Sequence, residues 1–273
     1  MAGGRDGGPA RGSDIVPRVL SGVVLAALAM VGAVLGGWVA AFLLGIVTAI
    51  VHLEWVRLTD RSPWPAAVFT AGLVMAIAIM PLGLVATGLT IVAVAIVAAA
   101  LTIDAWRTVG VAYAAVLGIG LLLLRLSLDY GLAAVLVVFA VVWATDSGAF
   151  FAGRAFGGAR LWPALSPNKT WAGAIGGLVA GSVGGLLVAG YLGLAPGAVL
   201  FTVIAALSVA AQAGDLFESW VKRRFGAKDS GRLVPGHGGF MDRVDGLVFA
   251  TGLAVLTGWL HEGSDLARGL VVW

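Results

Sequence analysis

The sequence predicts an all-α, polytopic membrane protein, and three of its features carry that prediction. Hydrophobic residues make up 60% of the 273-residue chain and charged residues only 11%, whereas soluble domains carry about 25% charged residues. Apolar runs close to the ~20 residues that a spanning helix needs recur along the chain. These runs do not alternate in the manner of barrel strands, so helices are the expected spanning form.

Nine apolar runs are predicted to be spanning helices. They cover residues 19–36, 38–56, 66–82, 84–103, 108–124, 131–152, 170–192, 196–213 and 244–260. Many of the 41 glycines lie inside these runs, and small residues let membrane helices pack closely.

Basic residues are distributed unequally between the two sides of this arrangement. With a cytoplasmic N-terminus, fifteen of the seventeen Lys and Arg residues fall on the cytoplasmic side, and only Arg125 and Arg268 fall opposite. Cytoplasmic loops carry an excess of Lys and Arg. We therefore expect a cell inner-membrane protein with a cytoplasmic N-terminus, a periplasmic C-terminus and a flexible cytoplasmic tail over residues 1–17.

Two polar segments on the predicted cytoplasmic side stand out, at residues 153–169 and 214–243. Together they hold nine of the basic residues. Function is expected there and at the adjoining helix ends, because binding residues concentrate on loops that a rigid scaffold positions. The chain has no cysteine and only three histidines, which excludes thiolate chemistry and disfavours a His-based metal site.

The first polar segment is flanked by features typical of a phosphate site. Asp146 ends an apolar run, and an acid at membrane depth is a functional candidate, the alternative being a helix-end acid that reaches the interface. Ser166 or Thr170 could cap the following helix, with Pro167 in its first turn. Lys169 at such a helix start would attract an anion. The alternative is a plain cap beside a surface lysine.

The second polar segment combines acids, bases and a glycine-rich turn. If the preceding span continues as a helix, four polar side chains share one face by their spacing: Asp215, Glu218, Ser219 and Lys222. Lys222 and the neighbouring Arg223 would neutralise phosphate charge. The alternative for these bases is a loop that touches anionic lipid.

Three aspartates at the edges of this segment predict a metal site. Asp215 closes one span, while Asp242 and Asp245, three apart, are expected to point from one face at the start of the last span. Mg²⁺ takes a few carboxylate oxygens and leaves positions for water and phosphate. The residues alone thus indicate a membrane enzyme or carrier that acts on phosphorylated ligands.

The stretch from Ser219 to Asp245 closely resembles the signature of the phosphatidate cytidylyltransferase family. The matching residues are Ser219, Lys222, Arg223, Lys228, Asp229, Gly231, Pro235, Gly236, His237, Gly238, Gly239, Asp242, Arg243 and Asp245. Val234 stands where the family usually has Ile, Leu or Phe. Residues 146–153 and 166–173 resemble two upstream motifs of the family, although many members carry Glu or Gln in place of Ala172.

The N-terminal half resembles the family only at Glu54 and Trp55, which are similar to an N-terminal marker. The resemblance is dense from about residue 120 onward. It divides the chain into N-terminal helices over 18–130 and a C-terminal catalytic membrane region over 131–273.

The resemblance implies that phosphatidic acid attacks the α-phosphorus of CTP, so that CDP-diacylglycerol forms and pyrophosphate leaves without a covalent enzyme intermediate. It implies two cations. The first is Mg²⁺, bound by Asp215, Asp242 and Asp245, and the second is a monovalent cation such as K⁺. It also implies a homodimer whose polar cavity opens to cytosol and lipid. Membrane lipid is an expected partner, and nucleic acid is not.

The resemblance also implies a set of site residues. Catalytic roles fall to Asp215, Lys222, Arg223, Asp242 and Asp245. Substrate or phosphate binding falls to Asp146, Ser166, Lys169, Thr170, Ser219, Lys228, His237, Gly238, Gly239 and Arg243.

Two other functions are compatible with parts of the pattern. A CTP-dependent lipid-alcohol kinase would release CDP in place of pyrophosphate. A secondary transporter of anionic solutes would also use intramembrane acids and glycine-broken helices, but the sequence shows no inverted repeat, and its polar groups crowd at one face. The enzyme class that consumes CDP-diacylglycerol needs an Asp-Gly followed by Ala-Arg and further spaced Asp, which Asp245-Gly246 lacks.

Overall fold

Helices dominate the structure, a computed structural model that describes residues 15–59, 65–102, 105–231, 233 and 238–273. Within these residues the α-helices are α1 (Ile15–Leu35), α2 (Gly37–Thr59), α3 (Ala66–Ile79), α4 (Val85–Thr102), α5 (Ala105–Arg125), α6 (Gly131–Phe156), α7 (Trp171–Tyr191), α8 (Ala198–Arg224), α9 (Asp245–His261) and α10 (Leu266–Val271). Short 3-10 helices follow α3, at Met80–Leu82, and precede α9, at Met241–Arg243.

The predicted helical fold is confirmed, because each of the nine apolar runs coincides with one of the helices α1 to α9. Five of the helices in the described part of the chain are long and apolar enough to cross a membrane: α2, α5, α6, α7 and α8. The first helix begins at Ile15, inside the segment predicted to be a tail. Residues 1–14 of that segment lie outside the described residues.

One helix is longer than its apolar run, and two further elements of the structure were not predicted. Helix α8 runs to Arg224, well beyond the predicted span end at 213, so the helical continuation that was considered as a condition is present. Three basic residues in its last turn complement the negative end of the helix dipole. The strands β1 (Arg160–Trp162) and β2 (Ser166–Thr170) form an antiparallel hairpin, and neither this hairpin nor the six-residue α10 was predicted.

Glycines allow α6 and α7 to pack at very close range. A Cβ atom at Gly177 would lie 2.9 Å from the carbonyl oxygen of Thr145, and one at Gly148 would lie 2.8 Å from the carbonyl oxygen of Gly176. The Thr145 hydroxyl also shares a 2.7 Å hydrogen bond with Ser208 of α8. The end of α6 is therefore held against α7 and α8, which fixes the position of Asp146.

Aromatic packing joins α2, α5 and α8 at the same end of the molecule. The indole Nε1 of the fully buried Trp55 donates a 2.8 Å hydrogen bond to the carbonyl oxygen of Trp106. The Trp55 ring stacks on Phe217 of α8 with a centroid separation of 6.3 Å. At the other end of α5, Arg125 Nε donates to the Ala33 carbonyl oxygen at the end of α1, at 2.5 Å.

Candidate active site

A polar cavity of about 1010 Å³ lies among α6, the hairpin, α7, α8 and the residues that lead into α9. Its polar lining residues are Asp146, Arg154, Ser166, Asn168, Lys169, Thr170, Gln212, Asp215, Glu218, Lys222, Asp229, Asp242, Arg243 and Asp245. Both predicted polar segments therefore contribute to one site, although they are separated along the chain by α7 and most of α8.

The start of α7 forms one wall of this cavity. Thr170 caps the helix by accepting a 3.0 Å hydrogen bond from the Gly173 N–H, so it is the residue that fulfils the predicted cap. Ser166 and Pro167 belong to β2, and the expectation that Pro167 lies in the first helical turn was wrong. Lys169 forms an ion pair with Asp215 of α8 across the cavity.

Lys222 lies between two buried carboxylates. Its Nζ is 2.5 Å from Glu218 Oε2 and 2.7 Å from Asp242 Oδ1. The Glu218 side chain is only 1% exposed, and its Oε1 has no hydrogen-bond partner among the described residues. Such carboxylates depend on their cation, because an unpaired buried charge is strongly destabilising. Glu218 was not predicted to be a site residue, although its four-residue spacing from Lys222 places both side chains on one face of the helix.

Asp242 is held by the loop as well as by Lys222. Its Oδ2 accepts hydrogen bonds from the Gly239 N–H at 2.9 Å and the Ser230 N–H at 3.1 Å. Burial alone would raise the pKa of Asp242, but the hydrogen bond and positive charge of Lys222, with the hydrogen bond from the Gly239 N–H, outweigh burial and lower the pKa below its ordinary value. Asp242 therefore carries its negative charge at neutral pH.

Asp242 and Asp245 both line the polar cavity, although the two residues belong to different helical elements. Asp242 lies in the 3-10 helix Met241–Arg243, Val244 departs from helical geometry with φ −123°, and α9 begins at Asp245. The nearby charges of Asp245 include the carboxylates of Asp215 and Asp146. The acidic residues thus lie in one cavity, where Asp146, Asp215 and Asp245 are near one another and Glu218 and Asp242 both contact Lys222.

Some of the predicted site residues lie away from the polar cavity. Among the described candidates, those that do not line the polar cavity are Ser219, Arg223, Lys228, Gly238 and Gly239. Arg223 and Lys228 are exposed, while Gly239 contributes through its N–H to Asp242. Gly238 has a φ of +88°, a conformation that favours glycine. His237 lies outside the described residues.

A second, apolar cavity of about 550 Å³ adjoins the site among α1, α2, α5 and α6. Its wall next to the site includes Phe240, Val244 and Leu247. Arg243 lines both this cavity and the polar one. Arg243 therefore lies where an apolar space and a charged space meet.

The fold and the cavity define a multi-pass helical membrane protein with a charged site at its helix ends. The chain belongs to the cytidylyltransferase family, whose profile matches residues 16–260, and this confirms the family resemblance.

Two similar proteins illustrate the relationship. A Brucella suis protein named phosphatidate cytidylyltransferase is 50% identical over 166 residues, which cover 60% of this chain and 61% of that protein. A Staphylococcus haemolyticus protein of the same name is 42% identical over 146 residues, covering 53% and 55% of the two chains. The chain thus spans about three fifths of the length of these relatives.

We expect Lys222→Met to destabilise the protein, because the substitution leaves two buried carboxylates without their cation. The free energy of unfolding should fall by roughly 3–5 kcal/mol, measured as a lower thermal unfolding midpoint in detergent. Arg224→Met is the matched control, since Arg224 is an exposed cation at the same helix end, 5.8 Å from the centroid of the Trp106 ring. Equal shifts for the two variants would contradict this role of Lys222.

Proposed function

We propose that this protein is a phosphatidate cytidylyltransferase, which transfers the CMP moiety of CTP to phosphatidic acid and releases pyrophosphate. The observation that carries the proposal is the position of Arg243 in the walls of both cavities. An anionic lipid has an apolar part and a phosphate, and these match the apolar cavity and the arginine. The names of the similar proteins support the same reaction.

The polar cavity has the groups that a nucleotide triphosphate needs. Lys169, Lys222 and Arg243 are cations in its wall, and charge-assisted hydrogen bonds to phosphate are among the stronger polar contacts. Lys169 also precedes the N-terminus of α7, where the helix dipole favours an anion. Apolar walls on one side and cations on the other would place the lipid phosphate beside the nucleotide.

The reaction needs positioning and charge neutralisation more than a protein nucleophile. An oxygen of the phosphatidic acid phosphate forms a bond to the α-phosphorus of CTP. The bond from that phosphorus to the oxygen bridging to the β-phosphate breaks, and pyrophosphate leaves with the electron pair. Holding both substrates in line and neutralising the leaving group supply much of the rate enhancement in such transfers.

We place Mg²⁺ at the carboxylates of Asp215 and Asp245, beside Asp146. Carboxylates that lie near one another in one cavity repel each other, so a cation bound among them is favoured. Carboxylate oxygens are also the ligands that Mg²⁺ prefers. Among the described residues, no three acidic or histidine side chains are already gathered as a metal site. A bound Mg²⁺ would neutralise phosphate charge.

Asp242 as a third metal ligand stays a prediction, because both of its oxygens already accept hydrogen bonds from Lys222 or the loop. A second monovalent cation such as K⁺ and the homodimer also stay predictions that rest on the family resemblance.

We further propose nine membrane crossings in a cell inner membrane, with the polar cavity facing the cytoplasm. The distribution of basic residues supports this topology. The contacts between chain segments agree with it as well. Glu54 near the end of α2 meets the backbone at Phe240 before α9, and Ser127 after α5 meets Asp265 after α9. In each pair, the two residues lie on the same side of the membrane in the nine-span arrangement.

The purified protein in detergent, given labelled CTP, phosphatidic acid and Mg²⁺, is expected to yield CDP-diacylglycerol and an equal amount of pyrophosphate. Removal of Mg²⁺ with a chelator should stop the reaction. Release of CDP with phosphorylation of a lipid alcohol would instead identify a kinase. Absence of any nucleotide-dependent product, together with uptake of a phosphorylated solute into vesicles, would identify a transporter.

Asp215→Asn is expected to lower turnover about tenfold or more, since one charged contact is worth roughly 1.5–3 kcal/mol. It should also weaken the thermal stabilisation that Mg²⁺ gives to the wild-type protein, because a ligand stabilises the state that binds it. Asp129→Asn, an exposed aspartate between α5 and α6, is the matched control. An unchanged Mg²⁺ titration in Asp215→Asn would remove this residue from the metal site.

The topology can be measured with fusion reporters. A reporter after Trp273 should be periplasmic, and one inserted near Ala227 should be cytoplasmic, because one span, α9, separates these two positions in the nine-span arrangement. Finding both reporters on one side would contradict the nine-span arrangement.

A further inference from the structure

Glu54 on α2 is a buried carboxylate that lines neither cavity. Its exposed fraction is 2%. A carboxylate is costly to bury unless donors satisfy it, so the groups that surround it define its role.

Those groups belong to the segment between α8 and α9, far away along the chain. Glu54 Oε1 accepts a 3.0 Å hydrogen bond from the Phe240 N–H, and Oε2 accepts a 2.7 Å hydrogen bond from the Met241 N–H. The Ser230 hydroxyl lies 3.4 Å from Oε2 and donates to it. One side chain of α2 therefore binds two separate parts of the loop, at residue 230 and at residues 240–241.

The loop comes so close to Glu54 that glycine is required at two positions. A Cβ atom at Gly231 would lie 2.5 Å from Glu54 Oε1. A Cβ atom at Gly239 would lie 2.6 Å from the Gly231 nitrogen and 3.0 Å from Glu54 Oε2. Larger residues at either position would push the loop away from the carboxylate.

The same loop residues also bind Asp242 in the polar cavity. Asp242 accepts hydrogen bonds from the N–H groups of Ser230 and Gly239. Met241, which donates to Glu54, immediately precedes Asp242 in the 3-10 helix, and Arg243 immediately follows it. Two carboxylates thus hold one loop, with Glu54 on the buried side and Asp242 in the cavity wall.

We propose that Glu54 is a positioning residue for the reaction. By fixing the backbone at Phe240 and Met241, it sets Asp242 against Lys222 and Arg243 between the two cavities. This inference rests on the proposed function for its effect on turnover. The effect on the loop is independent of the reaction.

Glu54→Gln tests the inference with little change in side-chain volume. Glutamine has one acceptor oxygen, and its amide NH₂ would face a second backbone donor. Either Phe240 or Met241 therefore loses its partner. Glu54→Asp keeps both acceptor oxygens on a shorter side chain and should retain part of the function. The matched control is Glu262→Gln, because Glu262 pairs with Arg268 after α9, away from the loop.

Two measurements on the full-length protein separate positioning from a general effect on folding. Hydrogen exchange of a peptide covering residues 238–244 should become about tenfold faster or more in Glu54→Gln, since a lost charge-assisted hydrogen bond is worth about that factor. Peptides from α5 and α6 should be unaffected. Turnover per folded molecule at saturating CTP and phosphatidic acid should fall by a similar factor, with Glu54→Asp intermediate and Glu262→Gln unchanged.

Three results would overturn the inference. The first is unchanged exchange at residues 238–244, whatever the activity. The second is faster exchange throughout the chain with normal turnover of the folded fraction, which would make Glu54 a purely structural residue. The third is faster exchange at the loop alone with normal turnover. If Glu54→Gln does not fold, the same comparisons apply to Glu54→Asp. A wild-type protein without cytidylyltransferase activity would refute the proposed function, while the exchange result would still decide whether Glu54 fixes the loop.

Discussion

The cation of Lys222 between Glu218 and Asp242 is the interaction on which the arrangement of the site depends. Glu218 is fixed by α8, and Asp242 is fixed by the loop that leads into α9. Without the cation, the two carboxylates would repel each other where little water can screen them. The contact between the loop and α8 would then weaken. The cost of burying these charges is offset by their pairing and by backbone donors. The pairing therefore links helix packing to the shape of the cavity.

The membrane helices supply the rigid frame for this arrangement. Close packing of α6 and α7 through glycines holds Asp146 and Lys169 near α8, while Trp55 joins α2 to α5 and α8 through its hydrogen bond and ring contacts. The polar side chains of the cavity are ordered at one end of this frame. Most of the chain is apolar, and the polar residues that line the cavity are concentrated at the ends of α6 and α8 and in the two segments beside them.

Local features of the sequence predicted the helices well, because an apolar run of sufficient length has few alternatives in a membrane. Thr170 as a cap and the face shared by Asp215 and Lys222 also depend only on neighbouring residues, and both appear in the structure. The family signature and the two upstream motifs together contain most of the residues of the cavity wall. Residues of the turn near His237 lie outside the described chain and leave that part of the signature as a prediction.

Contacts between distant segments could not be predicted in this way. Glu54 meets the loop 186 residues further along the chain at Phe240, and no spacing rule connects the two. The break at Val244 lies between the 3-10 helix that holds Asp242 and the start of α9 at Asp245, and the three-residue spacing of the two aspartates does not reveal it. The six-residue α10 depends on Asp265, which accepts hydrogen bonds from two N–H groups at its start, and the run is too short to show a period.

The ion pair between Lys169 and Asp215 has a thermodynamic consequence for ligand binding in the polar cavity. An anion that binds Lys169 leaves Asp215 without its counter-ion. A divalent cation that binds Asp215 likewise leaves Lys169 without its counter-ion. Each ligand thus removes a penalty that the other would otherwise meet, and such coupling is reciprocal by linkage. If the proposed function holds, nucleotide and metal bind with positive cooperativity, which a titration of either one at several fixed concentrations of the other would measure. The two ligands would then occupy the cavity together more often than either one alone.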